Sequence, residues 1–232
     1  MATLHRATLQ KSTLAEQAYR TLRERIVKGE LPAGHRLLPE EIGQALSISP
    51  TPVKEALAML QRDGLIEVSA RRGSIVRRFS AREITDLYDA RLAVEARALT
   101  VGLAAGRVDA AFLARVDACA AALAERSRRR RVAELRQALR LDHDLHTLLV
   151  SLADNAVLAE FHQRLLRQTQ LVRVYSLRAF DAGRLERAQQ EHAAIIAALH
   201  ARDAPAALRA LEAHLATSCA NVLAEYAQGD SA

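Results

Sequence analysis

Residues 40–68, EEIGQALSISPTPVKEALAMLQRDGLIEV, decide how the first third of the chain folds. A helical run over about Pro39–Leu46 and a second one opened by SPTP are separated by only a few residues, which forces the two helices into a tight turn. Ser49 is placed to cap the second of them, Pro50 then takes its first position, and Pro52 is tolerated because first-turn N–H groups have no intrahelical acceptor. The helix should end near Asp63-Gly64.

Working outward, Ser12 is placed as the N-cap of an earlier helix running to about Lys28, with Leu14, Ala18, Leu22 and Ile26 as its apolar stripe and Gly29 as its stop. ELPAGHRL (30–37) reads as a Pro/Gly turn, and LIEVS (65–69) and SIVRR (74–78) read as two short strands joined by ARRG. Three helices followed by a two-stranded hairpin is the winged helix-turn-helix order. In DNA-binding versions of that arrangement the first turn of the third helix meets base edges, here offering Ser49, Thr51 and Lys54. The wing would bring Arg71, Arg72 and the turn residue Gly73 to the backbone or minor groove. The alternative is a winged helix used for protein contacts alone.

Charge favours the nucleic-acid reading. Residues 1–80 hold 13 Lys/Arg against 8 Asp/Glu, whereas residues 81–232 hold 20 against 19. Nearly all of the net charge of +6 therefore sits where a polyanion would be met. Histidine is biased the other way, with two of eight before residue 81. From there the pattern is helical only, with expected helices at about 81–105, 109–126, 132–152, 154–179, 184–201 and 205–228. The fold class is thus mainly α, a winged helix over 12–78 followed by an all-α bundle over 82–228. SRRRR (127–131) falls between two of these helices and reads as a solvated loop. Cys119 and Cys219 lie inside helical patterns without metal spacing, which suits ordinary reduced thiols. No apolar run approaches membrane length and the N-terminus lacks a signal-peptide core, so the expected location is the cytoplasm.

GELPAGHRLLPEEIGQALSISPTPVKEALAMLQRDGLIEVSARRGSIV (29–76) resembles the DNA-binding module of the GntR family of bacterial transcription regulators. That family's pattern runs Gly-x-Leu-x-Pro-Gly, then Ser-Arg-Thr-Pro-Val-Arg-Glu-Ala-Leu, then Gly-Leu and a wing glycine. Here Ala33 precedes Gly34, Pro50 and Lys54 stand in place of arginines, and Glu40 occupies a position where some members carry a DNA-contacting arginine. Two groups capable of bidentate guanine contacts are missing, so the usual operator bases are not carried over.

YDARLAVEARAL (88–99), LDHDLHTLLVSLADNAVL (141–158) and EHAAIIAALHARDAPAALRALEAHL (191–215) resemble the helical effector domain, the FCD domain, of the FadR-type subgroup. Many members hold a divalent metal with an Asp and three His, which correspond here to Asp142, His146, His192 and His214. Helical spacing is compatible with that set. Asp142 and His146 are i and i+4 on a leucine-rich face, where an unpaired carboxylate would be costly. His192 precedes Ile195, Ile196 and Leu199, and His214 lies between Leu211 and Leu215. The two histidines stand 11 residues before and 11 after Asp203, the centre of a break, so an antiparallel hairpin would bring them to one height. Glu160, His162 and His200 are weaker candidates, and His143 points about 100° away from Asp142. An Asp-plus-imidazole set suits Zn²⁺ first, with Ni²⁺, Mn²⁺ or Fe²⁺ also accommodated.

Open positions on an octahedral metal would let a small carboxylate effector bind it directly. Arg91 could offer it a fork, unless it forms a plain surface pair with Glu95, and Asn155 matches a recurring family position unless it caps a helix. The expected protein is therefore a homodimeric regulator, a repressor in sense, that binds a palindromic operator and responds to a small organic acid at a metal. A metal-responsive regulator, with the ion as signal, is the alternative. A purely structural metal is another, and a metal-dependent hydrolase is a third. The hydrolase would need a general base, but Asp144 and Glu191, at i+2 and i−1 from ligands, point away from the site on their own helices, and no HExxH occurs. The protein is not expected to be an enzyme.

Overall fold

The computed structural model describes residues 13–69, 71–128, 132–176 and 182–229. The chain divides into two compact units between Arg78 and Phe79. In the first, α1 (Leu14–Val27), α2 (Pro39–Leu46) and α3 (Pro50–Arg62) are followed by strands β2 (Ile66–Ser69) and β3 (Gly73–Val76). A strand that the Pro/Gly turn concealed, β1 (Arg36–Leu37), pairs antiparallel with β3 and makes the sheet three-stranded, in the order β1-β3-β2. Two residues are too few to show a period of two, but Leu37 is buried beneath the pairing.

Ser12 lies outside the described residues. The cap of α1 is Thr13, which forms a reciprocal capping box with Glu16. The buried stripe of α1 is Ala15, Ala18, Leu22 and Ile26, so Leu14 faces outward rather than inward. Ser49 is the N-cap of α3 by backbone conformation, and its side chain makes no capping bond. The turn between α2 and α3 depends on two backbone features. Ser47 is left-handed at φ 55°. A Cβ on Gly43 would lie 2.8 Å from the Ile48 carbonyl oxygen, a separation real side chains do not adopt.

The second unit contains α4 (Ala81–Ala104), α5 (Ala110–Arg128), α6 (Val132–Ser151), α7 (Ala156–Ser176), α8 (Ala182–His200) and α9 (Ala204–Gly229). Helix α4 starts at a second capping box, Ser80 with Glu83, and packs against α6, α7 and α9. Helices α8 and α9 form the expected hairpin, with Asp203 capping α9 through Ala206 N–H. Helix α5 extends to Arg128. Ser127 is thus a buried helical residue whose hydroxyl donates to Leu123 O, not the start of a loop, and residues 129–131 lie outside the described set. Among the described residues no helix is long and apolar enough to cross a membrane. Both cysteines are free, and burial, reinforced by Asp144 and Asp142, pushes the Cys119 thiol up to about 11.

Candidate metal centre

Five helices converge on one buried cluster. The stripe of α4 that faces the bundle runs Ile84, Tyr88, Arg91, Glu95, Ala98 and Leu99, so a full ion pair is carried inward by the same spacing that buries its apolar neighbours. Arg91 and Glu95 are 1% and 0% exposed, which replaces the surface-pair alternative. The Arg91 Nε donates to Glu95 Oε1 at 3.0 Å, and its guanidinium carbon sits 5.5 Å from the centroid of the Tyr88 ring.

Asp142 and His146 on α6, His192 on α8 and His214 on α9 are all buried, and they present ligand atoms within 4.8 Å of one another. His214 Nε2 lies 3.2 Å from His146 Nε2 and 3.2 Å from His192 Nε2, and His192 Nε2 lies 3.4 Å from Asp142 Oδ1. Donors held about 2.1 Å from one ion sit about 3.0–3.4 Å apart, so these spacings fit a single divalent cation.

Proton placement supports the same fit. Burial alone would raise the Glu95 carboxyl, but His146 and Arg91 beside it hold it well below the usual carboxylate range. An ionised carboxylate can only accept, so His146 donates Nδ1–H to Glu95 Oε2 at 2.6 Å. His214 likewise gives Nδ1–H to Glu191 at 2.9 Å. Burial, the largest influence on both, pushes His146 and His192 down, which favours neutral imidazoles. With Nδ1–H given to a carboxylate, His146 and His214 each turn Nε2 toward the cluster, where a bound cation would find imidazoles already oriented by Glu95 and Glu191.

Asp142 has a partner besides any ion. Arg173 on α7 binds its Oδ2, and with the histidines it outweighs burial to hold the carboxyl well below its usual range. Spacing gives no hint of Arg173, which lies a helix away in sequence. Glu191 is a correction. It does point away from His192 on its own helix, but that direction aims it at His214 on α9, where it accepts a hydrogen bond. Glu95 could have been found by the argument applied to Asp142, since it too is a carboxylate on an apolar stripe.

The weaker candidates separate cleanly. His162 is fully buried and donates Nε2–H to Glu95 Oε1 at 2.9 Å, joining the cluster. His143 is half-buried, not a surface residue, with a buried Nε2 that has no partner among the described residues; burial pushes it down to about 3. His200 is exposed and pairs with Asp117, and Glu160 is exposed on α7. Asn155 is exposed and caps α7 by accepting from Leu158 N–H at 3.0 Å, which leaves it outside the buried cluster. Two nitrogens at the Glu95 hub remain without partners among the described residues, Arg91 Nη2 and His162 Nδ1.

In the N-terminal unit the six residues expected at DNA are all exposed. Ser49, Thr51 and Lys54 lie at the start of α3, whose inward face is Val53, Ala56, Leu57 and Leu60. Arg71 and Arg72 lie in the turn before β3, and Gly73 opens that strand at φ 69° with open space around its α-carbon.

A winged helix-turn-helix head followed by a helical bundle that encloses a buried His/Asp cluster is the architecture of a DNA-binding transcription regulator. Residues 14–76 match the bacterial regulatory proteins of the gntR family and residues 86–217 match the FCD domain, and the chain belongs to this family. It is 31% identical over 89% of its length, and 84% of the relative's, to the HTH-type transcriptional regulator BphR of Paraburkholderia xenovorans (strain LB400). It is 29% identical over 86% of its length, and 85% of the relative's, to the HTH-type transcriptional repressor RspR of Escherichia coli (strain K12). A GntR regulator structure from Rhodococcus sp. RHA1 superposes with a TM-score of 0.75 at 27% identity, covering 90% of this chain and 97% of that one. The family and these relatives are DNA-binding regulators rather than enzymes.

Proposed function

We propose that this regulator, acting in the cytoplasm as a homodimer, binds a palindromic operator and releases it when a small organic acid occupies the pocket beside a divalent metal. Repression is the sense favoured, since RspR is named a repressor. The observation that carries the reading is the Glu95 hub. Its Oε2 orients the ligand His146, and its Oε1 holds Arg91 and His162, each with one buried nitrogen unused among the described residues.

Asp142, His146, His192 and His214 would hold the ion, with Zn²⁺ first and Ni²⁺, Mn²⁺ or Fe²⁺ also suited to the donor set. Once bound, the ion supplies a Lewis-acidic anchor for a carboxylate oxygen. Arg91 Nη2 is a donor for a carboxylate, and among the described residues its charge is otherwise met only by Glu95. In its neutral form an imidazole that gives Nε2–H to Glu95 keeps a lone pair on Nδ1, so His162 can accept from a hydroxyl. A carboxylate bearing a neighbouring hydroxyl satisfies both groups, which favours hydroxy acids over plain ones. On DNA, Ser49, Thr51 and Lys54 would face base edges and Arg71, Arg72 and Gly73 the backbone or minor groove. The acid acts only through unequal affinity for two dimer arrangements, one of which matches the half-site spacing.

The test is thermal unfolding of metal-loaded and chelated protein against a panel of hydroxy and plain carboxylic acids. A ligand at a hundred times its dissociation constant adds about 2.7 kcal/mol, and the shift should vanish with chelator and in Arg91→Ala. Metal-dependent operator binding with no response to any acid would favour the ion as the signal and overturn the acid-effector reading.

A further inference from the structure

Of the three histidines in the cluster, two are held from behind. His146 gives Nδ1–H to Glu95, and His214 gives Nδ1–H to Glu191. His192 differs. It is buried, its Nε2 faces His214 and Asp142, and its buried Nδ1 has no hydrogen-bond partner among the described residues. Metal-ligating histidines are ordinarily fixed by such an outer partner.

His192 also differs in what lies beside it. It lines a cleft of about 490 Å³ between α5 and α8. Ala120 and Ala124 on one helix and Ala193 and Ala197 on the other are too short to fill that space. Asp117 and His200 line the same cleft. Both are about half exposed, with His200 Nε2 3.0 Å from Asp117 Oδ1. Among the described residues no Lys or Arg lines it. The other described sides of the cluster are covered. Glu95, His146, His162 and Arg91 are buried on the α4 side, Arg173 binds Asp142 from α7, and Glu191 backs His214.

We propose that the α5–α8 cleft is the route by which the divalent ion enters and leaves the folded bundle. A cation arriving from solvent meets a carboxylate and an imidazole first, Asp117 and His200, with no Lys or Arg in the lining to oppose it. Two turns before His200, about 12 Å along α8, His192 lines the cleft and turns Nε2 to the cluster. An imidazole without an outer hydrogen bond can change rotamer without breaking one. His192 is therefore the ligand that moves to pass the ion, while Asp142, His146 and His214 stay in place. A bundle without such an opening would exchange its metal only by unfolding. The assignment rests on the metal reading above and adds how the ion is exchanged.

Stopped-flow mixing of the full-length protein with Zn²⁺, and of the Zn²⁺-loaded protein with excess EDTA, tests the route. Release from the parent should be at least about ten-fold faster than unfolding of the C-terminal unit, extrapolated from denaturant. Ala197→Leu, a longer side chain at an exposed helical position, should slow loading and release alike by about ten-fold and leave the dissociation constant unchanged. Asp117→Asn should slow both by about three-fold, through lost attraction at the mouth. Ala118→Leu, exposed on the α6 side of the same helix, should leave both rates as in the parent. Release no faster than unfolding would overturn the route and leave the metal reading intact, as would parent-like rates in both Ala197→Leu and Asp117→Asn. Slowing of one rate alone would also overturn it, since a shifted dissociation constant marks part of the site rather than a path to it. A parent that takes up no Zn²⁺ would overturn both.

Discussion

The two units of this regulator place their polar chemistry on opposite sides of their cores. In the N-terminal unit the residues proposed to meet DNA are exposed, and Asp63, bound by Tyr19, is the one buried polar side chain among the described residues. The C-terminal unit buries Arg91, Glu95, Asp142, His146, His162, His192 and His214 together, each bonded to or facing another. In the first, an apolar core carries a readable surface, and the surface can change without disturbing the core. In the second, the residues proposed to hold metal and acid are the core, so on that reading specificity and stability are held by the same atoms.

The strongest way to break that contrast is Glu95→Ala. It removes the acceptor of three hydrogen bonds and leaves the Arg91 guanidinium buried without a counter-charge. Loss of one partner from a buried pair costs about 3–5 kcal/mol, so chemical denaturation should show the C-terminal transition move by that amount while the N-terminal unit is little changed. A change below about 1 kcal/mol would mean that water reaches the hub and screens the Arg91–Glu95 pair. Next in size is Gly43→Ala, which acts on the other unit through the backbone alone. With the new methyl 2.8 Å from a carbonyl oxygen, the helix-turn-helix should lose about 1–3 kcal/mol, and the metal affinity of the bundle should be untouched. Equal loss in both units would show that they do not unfold separately.

How much of each unit was legible in sequence follows the same division. The winged helix was readable because capping residues, prolines and apolar periods are local signals. It hid β1, two residues with no period, and the switch from Leu14 to Ala15 as the first buried residue of α1. In the bundle, the family resemblance named the four residues of the buried cluster, and spacing agreed with it where a polar residue interrupted a leucine stripe, as at Asp142 and His146, or where a hairpin set two positions at one height, as at His192 and His214. The outer partners could not be found that way. Glu191 serves a histidine on the neighbouring helix, and Arg173 reaches Asp142 across the bundle, so neither is visible from spacing within its own helix. Glu95 was visible in principle, but its i−4 arginine offered a sufficient surface explanation until burial removed it.

The smallest stability effect sharpens the comparison most. Lys54→Ala removes an exposed charge from the first turn of α3, where Val53 and Leu57 rather than Lys54 make the core. Its unfolding free energy should stay within about 0.5 kcal/mol of the parent. Operator binding is the readout that should move. If Lys54 meets a phosphate, affinity falls for every DNA sequence alike and the slope of log affinity against log salt drops by about one. If it reads a base edge, the loss of about 1–3 kcal/mol is confined to operators carrying the preferred base, and the salt slope drops by less. Parent-like binding at every salt concentration would remove Lys54 from the interface and leave Ser49 and Thr51 to do the reading, with only short hydroxyl side chains to reach the groove.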